Sequence, residues 1–222
     1  MTTSPNIMDG NWYRISKRLI DMVGSIFLMV LFLPIGILVA CAIVLDSPGP
    51  VFADTPERVG KDGKPFKLYK FRSMIVNAHT KLRTDPTLRS LYQEYKRNSY
   101  KLHDDPRVTR VGHFIRRHSL DELPQFLNVL QGDMSLVGPR PYYSDELVEQ
   151  QRKYPHTKDL VKIVLSARPG ITGHWQVSGR SEVNFDKRIK LDADYVQKKS
   201  LLLDLMIMFK SPWAMISGKG AV

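Results

Sequence analysis

Cysteine is nearly missing from this chain of 222 residues: Cys41 is the sole example and stands inside an apolar run. That excludes a disulfide framework and a cysteine-rich zinc site, and it suits a reducing compartment. Of the six histidines, His113, His118 and His174 stand near other notable blocks but follow no recurrent metal-ligand spacing, so no structural zinc is expected. Fourteen glycines form neither a complete phosphate-binding P-loop nor a dinucleotide fingerprint. Acids are also short, with 22 Asp and Glu against 33 Lys and Arg, a formal charge of +11. Such a surplus favours a partner that carries phosphate, whether nucleic acid, nucleotide or anionic lipid headgroup, without choosing among them. The length suits one domain of ordinary size with a short appendage and excludes two large ones.

What the chain does have is a long apolar run. Leu19 to Leu45 is interrupted only by Asp21, Ser25 and small residues, and Arg14, Lys17 and Arg18 precede it. As a straight helix it would reach roughly 40 Å, enough to cross a hydrocarbon core about 30 Å thick. It is longer than the apolar part of a signal peptide, and Asp46-Ser47-Pro48-Gly49-Pro50 lacks a small-residue cleavage pattern. Pro34 removes a backbone donor and crowds the preceding turn, which predicts a kink or break close to Leu33. The helix then either crosses the bilayer or turns back. Asp21 is expected at headgroup depth or paired with a neighbouring cation. Basic residues before the run favour a cytoplasmic N-terminus. A single crossing would place the strongly basic remainder outside, against the usual charge bias.

Beyond the run, Asp46 to Lys64 reads as turns around a short Val51-Phe52 strand. Phe66 to Arg72 alternates apolar and basic residues, which predicts a half-buried strand whose cationic face is either a phosphate-facing edge or an ordinary solvated one. Ala78 to Lys101 is loosely helical, and Asp104-Asp105-Pro106 marks a turn before Val108 to Arg117. Arg107, Arg110, Arg116 and Arg117 there are candidates for phosphates, headgroups or nearby acids. Ser119 and Glu122 fit a capping box, and Leu120, Leu123, Leu127 and Leu130 recur at helical spacing until Gly132. Asp121 then falls in a first helical turn, where amide donors stabilise a carboxylate and also receive phosphate. The plainer reading is that Asp121 and Glu122 are simply good first-turn residues. Arg140, held between Pro139 and Pro141, is either a positioned phosphate ligand or part of a buried salt bridge.

Toward the C-terminus, Ser181-Glu182, Asp192 and Asp194 read as helix-start or solvated residues rather than a second catalytic pair. Leu201 to Lys210, followed by Ser211-Pro212-Trp213, is too short to span a bilayer comfortably. It predicts either an interfacial helix, with Trp213 near headgroups and Lys198, Lys199 and Lys210 facing acidic lipid, or a helix packed over the core.

Several ordered blocks stand together: Lys70-Phe71-Arg72-Ser73-Met74, Asp121-Glu122, Gly132-Asp133-Met134-Ser135, Val137-Gly138-Pro139-Arg140-Pro141, Arg168-Pro169-Gly170-Ile171-Thr172-Gly173 and Trp175-Gln176-Val177-Ser178-Gly179-Arg180. From Trp12 to Met215 the pattern resembles the monotopic polyprenyl-phosphate phosphoglycosyl transferases, which are bacterial sugar transferases. The resemblance implies a helix-rich α/β monotopic membrane protein. Its parts would be a reentrant helix-break-helix over residues 12–46, bent at Leu33-Pro34, and a compact cytosolic catalytic domain over 47–217 ending in an interfacial helix over 200–217. Leu33 stands where the family has a serine. The chain is expected to be the compact catalytic unit, without the transmembrane bundle of longer relatives.

The implied activity is transfer of hexose-1-phosphate from a UDP-hexose to undecaprenyl phosphate, releasing UMP and initiating exopolysaccharide, capsule or O-antigen assembly. Carried over by motif, Asp121 is the nucleophile that forms a phosphosugar-aspartyl intermediate, and Asp121 and Glu122 hold Mg²⁺. Lys70, Arg72, Arg116, Arg140 and Arg168 are the implied phosphate contacts, with Pro169-Gly170 a rigid turn beside Arg168. Gly170, Gly173, Trp175, Gln176, Gly179 and Arg180 are expected to shape the nucleotide or sugar pocket, although Trp175 by type alone is equally a core or interface aromatic. The overall pattern leans toward glucose or galactose. The expected location is the bacterial inner membrane, on anionic lipid, with the catalytic domain on the cytoplasmic face. A homodimer is the assembly that related enzymes suggest, and no nucleic acid is expected. The different-class alternative, a membrane-tethered nucleic-acid-binding protein, rests on the +11 charge and lacks a recognisable nucleic-acid motif. A lipid-headgroup module would give Asp121-Glu122 no work.

Overall fold

The structure, a computed structural model, describes residues 10–98, 100, 102, 104–178 and 184–216. The apolar run is one helix, α1 (Asn11–Asp46), with Pro34 inside it. The expected break at Leu33-Pro34 is therefore not present as an interruption of the helix. Proline removes one donor, and the turns on either side are held independently by the rest of the protein. On the N-terminal side, the Arg18 guanidinium donates to the carbonyls of Val129 (2.6 Å) and Leu130 (3.0 Å). Asp21 accepts from Ser135 Oγ (2.8 Å) and Leu136 N (3.0 Å), and it pairs with Lys17, as one of the two readings expected.

At the far end, Val39 and Ile43 pack with Phe71 and Ile115, and Asp46 accepts from Val111 N. Asp21 and Ile43 lie about 33 Å apart along the helix, so both ends of α1 rest on the same body. Between them the outer face is apolar and open, with Phe27, Val30 and Leu38 each more than 60% exposed.

Two short strands follow, β1 (Arg58–Val59) and β2 (Pro65–Phe66), paired antiparallel with Arg58 opposite Phe66. The strand expected over Phe66 to Arg72 stops after Phe66, although Phe66 and Leu68 are buried and Lys67 is exposed as alternation requires. Its backbone donors go to three separate places instead of one neighbouring strand. Tyr69 N–H bonds the Asn128 side chain, Phe71 N–H bonds Asp121 O, and Arg72 N–H bonds Val51 O. Val51-Phe52 likewise makes only a bridge, between Phe52 and Phe71.

Helices α2 (Ala78–Thr84) and α3 (Arg89–Arg97) occupy the loosely helical stretch. Thr109 caps α4 (Arg110–Arg117), its Oγ1 accepting from Gly112 N. A 3₁₀ turn, Leu120–Glu122, then leads into α5 (Gln125–Gln131). The capping box expected at Ser119 and Glu122 is absent. Ser119 lies at φ 54°, in the left-handed region, and its side chain makes no cap bond. Pro124, which has no N–H, stands between the turn and α5, so the leucine periodicity covers two elements. Gly132, at φ 92°, closes α5 as expected.

β3 (Ser135–Val137) continues through α6 (Ser144–Lys153) and α7 (Lys158–Leu165) to β4 (Gly170–Thr172), which pairs parallel to β3 with Ser135 opposite Gly170. Pro169-Gly170 thus enters a strand and is not the expected turn. A Cβ on Gly170 would collide with Gly138 N, and one on Gly173 with Gly138 O, so these glycines let two backbones cross directly under Pro139-Arg140-Pro141.

The remaining helices are α8 (His174–Val177), α9 (Phe185–Lys198) and α10 (Leu201–Ile216). Phe66, Leu68, Phe126, Val129, Leu136, Tyr195 and Ile207 join α5, β3, α9 and α10 in one core. α10 docks by one side. Asp204 accepts from Tyr195 Oη (2.6 Å) and pairs with Lys17 of α1 (3.2 Å), while Leu202, Phe209 and Trp213 point outward at 68–81% exposure. The helix-rich α/β class with small strands is as expected.

Candidate active site

Asp121 sits where α4 gives way to the 3₁₀ turn. The left-handed Ser119 reverses the chain there, and the bond from Phe71 N–H to Asp121 O (2.9 Å) ties the turn to the basic segment. This juxtaposition brings Lys70 between the two acids, its Nζ 3.3 Å from Asp121 Oδ2 and 2.8 Å from Glu122 Oε1. Asp121 is only 7% exposed. Burial pushes its carboxyl above the ordinary carboxylate range; Lys70 opposes this, Glu122 adds to it and Arg116 opposes it. For Lys70, burial favours the neutral amine, but Asp121 and Glu122 outweigh it and hold the ammonium form.

These groups line a cavity of about 310 Å³ whose walls also carry Arg58, Arg72, Arg107, Arg116, Arg140 and Gln176. Cations from five separate segments thus line the same cavity as two adjacent carboxylates. Such a surround suits a substrate with several phosphate oxygens, which fixed guanidiniums bind in pairs. Among the described residues there is no group of three or more His, Cys, Asp or Glu able to hold a metal. The two carboxylates do fit Mg²⁺, which takes one or two carboxylate ligands and completes its shell with substrate phosphates and water.

The implied phosphate contacts separate into those at the cavity and those turned away. Lys70, Arg116 and Arg140 line it, and the Arg140 guanidinium lies 5.3 Å from the Trp175 ring. Trp175 is both a buried aromatic and a cavity wall. Gln176 lines the cavity while donating to Ile171 O (3.0 Å). Arg72 borders the cavity, but its guanidinium is bonded to Ser47 O (2.6 Å), Ser47 Oγ (3.1 Å) and Pro48 O (2.8 Å), where it closes the end of α1. Arg168 is not among the lining residues; its Nε donates to Gly132 O (2.7 Å), at the negative end of α5. Gly170 serves the β3–β4 crossing. Arg180, with Gly179, Ser181 and Glu182, lies outside the described residues.

Three residues of this region were not singled out in the sequence as site residues. Arg58 is buried with its guanidinium 3.3 Å from the Tyr143 ring centroid, and it donates to Pro141 O (3.0 Å). His79 is lowered to about 4 by burial and then by Arg58, Arg107 and Arg83, so it is neutral at physiological pH. Asp192, expected to be solvated, is fully buried on α9. It accepts from Arg140 N (3.1 Å) and Tyr142 Oη (2.9 Å). Its neighbour Asp194 is half-buried and pairs with Lys198 (2.6 Å). Arg107, a phosphate candidate by sequence, is engaged by Asp105 at 2.6 and 2.8 Å.

The model of the Bacterial sugar transferase family matches residues 12–218. The chain belongs to that family. It is 43% identical over 212 residues to the UDP-galactose-lipid carrier transferase of Erwinia amylovora, covering 94% of this chain and 42% of the relative. It is 40% identical over 211 residues to the exopolysaccharide production protein ExoY of Sinorhizobium fredii, covering 93% and 88%. It is also 40% identical over 202 residues to the UDP-glucose:undecaprenyl-phosphate glucose-1-phosphate transferase of Escherichia coli, covering 88% and 39%. The chain therefore spans less than half of the Erwinia and Escherichia proteins and most of the Sinorhizobium one. Family membership favours a sugar transferase over the nucleic-acid-binding alternative.

Proposed function

We propose that this chain transfers hexose-1-phosphate from a UDP-hexose to undecaprenyl phosphate, releasing UMP, at the cytoplasmic face of the bacterial inner membrane. The observation that carries the reading is the Asp121-Glu122 pair, joined by Lys70 and set in a cavity lined with cations. Relatives named for galactose and glucose transfer support a hexose donor.

In this reading a carboxylate oxygen of Asp121 attacks the phosphorus that bears the sugar. The bond from that phosphorus to the bridging oxygen breaks, UMP leaves, and the sugar-phosphoryl group stays on Asp121 as an acyl phosphate. An oxygen of undecaprenyl phosphate then attacks the same phosphorus and breaks its bond to Asp121. This yields the lipid diphosphate sugar and frees the carboxylate. Two steps spare the cavity from holding two anionic substrates head to head. Lys70 opposes the rise that burial imposes on the Asp121 carboxyl, and Arg116 and Arg140 hold phosphoryl oxygens as charge shifts toward the leaving UMP. Mg²⁺ held by Asp121 and Glu122 would screen the diphosphate against the attacking carboxylate.

The acceptor is a lipid, and the architecture suits one. The apolar outer face of α1 and the exposed Leu202, Phe209 and Trp213 of α10 give the body a surface for bilayer attachment, with nearby lysines for anionic headgroups. Because both ends of α1 rest on one body, the arrangement favours a helix held at a single membrane face over one that crosses. The end of α1 reaches Phe71 and Arg72, beside Lys70, which puts the cavity near that surface.

A screen of UMP release across UDP-galactose, UDP-glucose and N-acetylated donors, with undecaprenyl phosphate and Mg²⁺, tests the proposal. It expects turnover with a hexose donor that depends on the lipid acceptor. No UMP from any donor would defeat it.

A further inference from the structure

Outside the cavity, a cluster of buried charge lies beneath the Pro139–Tyr143 segment. Glu146 of α6 and Arg188 and Asp192 of α9 are each fully buried. Arg188 NH2 lies 3.1 Å from Glu146 Oε1, and its guanidinium carbon is 5.5 Å from the Tyr142 ring and 5.7 Å from the Trp175 ring. Buried ion pairs of this kind are poor stabilisers compared with apolar residues of the same volume. Their placement therefore calls for another account, and the bonds they make supply one.

Most backbone polar groups of the segment that carries Arg140 are engaged, whereas the buried Arg140 Nε has no hydrogen-bond partner among the described residues. Asp192 Oδ2 accepts both Arg140 N–H (3.1 Å) and the Tyr142 hydroxyl (2.9 Å), spanning Pro141. Arg58 donates to Pro141 O, Val59 N–H to Tyr142 O (2.9 Å) and Gly170 N–H to Pro139 O (2.8 Å). Pro139 and Pro141 restrict the backbone on either side. The result is an arginine whose backbone is pinned from below while its side chain faces the cavity.

We propose that Asp192 is a positioning residue for Arg140: one buried carboxylate oxygen holds the two residues that flank Pro141 and so sets where the Arg140 guanidinium meets a nucleoside diphosphate. This rests on the reading that Arg140 binds phosphate in the proposed reaction. Asp192 itself touches no substrate. Its effect on the reaction runs through Arg140, which separates it from a residue that merely supports the fold.

A double-mutant cycle makes that distinction. In the full chain, Asp192→Ala is expected to lower kcat/KM for UMP release about tenfold, chiefly through a raised KM for the UDP-sugar, since small misplacements of a binding group carry losses of this size. Asp192→Asn, which keeps an acceptor but loses the charge, should recover part of the rate, to about threefold below wild type. In an Arg140→Ala background, Asp192→Ala should cost less than about twofold, because the group it positions is gone. Equal losses in both backgrounds would overturn the proposal.

The Kd for UDP, measured by calorimetry on the same four proteins, runs the cycle without turnover. A failure of the proposed reaction is therefore distinguishable from a failure of this inference. Should Asp192→Ala not fold, Asp192→Asn replaces it with an expected loss of about threefold, confined to the background that retains Arg140; no loss in that background, or an equal loss in both, overturns the proposal.

Discussion

Under the proposed mechanism Asp121 combines two properties that pull against each other, a buried position and a requirement for negative charge. Burial raises its pKa from the ordinary 3.8, with Lys70 and Arg116 opposing. The attacking form is the carboxylate, so activity should fall as pH drops through this raised value, at higher pH than an exposed aspartate would give. Lys70→Met removes the largest opposing charge. The acid limb of kcat/KM should then move to higher pH, whereas Lys70→Arg should leave it nearly in place; a limb unmoved by Lys70→Met would contradict the assigned role. The same carboxyl chemistry without a cationic partner at bonding distance is seen at Asp192, raised to about 7, first by burial. A carboxyl raised on folding contributes stability that is complete below its unfolded pKa and is lost as pH rises through the folded value. Between about pH 4 and pH 7 that loss is at most on the order of 4 kcal/mol. Asp192→Asn should flatten this part of the profile of melting temperature against pH, and an unchanged profile would argue against the raised value.

At the scale of elements, the β3–β4 crossing and α1 make the sharpest demands. Gly170→Ala forces a Cβ onto the backbone of Gly138 and should cost about 1–3 kcal/mol. Gly10→Ala meets nothing within 4 Å and serves as the control in the same thermal melts. For α1, single cysteines at Asn11 and Lys64 in a Cys41→Ser background should react with an impermeant thiol reagent from the same side of the bilayer. Reaction from opposite sides would contradict the reentrant reading. The elements also show what the sequence made legible. The acidic pair, Lys70 and Arg140 stand in ordered blocks and reach one cavity. The capping box at Ser119 failed because a positive φ leaves no trace in residue spacing. Arg72 and Arg168 were read as phosphate contacts because arginine type is visible in sequence; the bonds they make to carbonyls of distant turns, at Ser47 and Gly132, are not. Arg58 escaped notice because its partner Tyr143 lies far along the chain. Asp192 looked solvated among neighbouring Lys and Asp, and only the packing of α9 on the Arg140 segment reveals its burial.

The whole molecule is a cationic body with one apolar helix docked at both ends and a second presenting an apolar side, so that a polar cavity lies next to an exposed apolar surface. In the proposed reaction that arrangement would join a water-soluble nucleotide sugar to a membrane-held acceptor, and the proposal requires that the two never react directly. Wild-type protein mixed with its UDP-sugar and Mg²⁺, without undecaprenyl phosphate, tests this most directly. The account predicts release of about one UMP per active site, an intact mass increased by the sugar-phosphoryl group, and peptide fragmentation placing that group on Asp121. The burst and adduct should both vanish in Asp121→Asn. An adduct on another residue, or robust turnover by Asp121→Asn, would contradict the account.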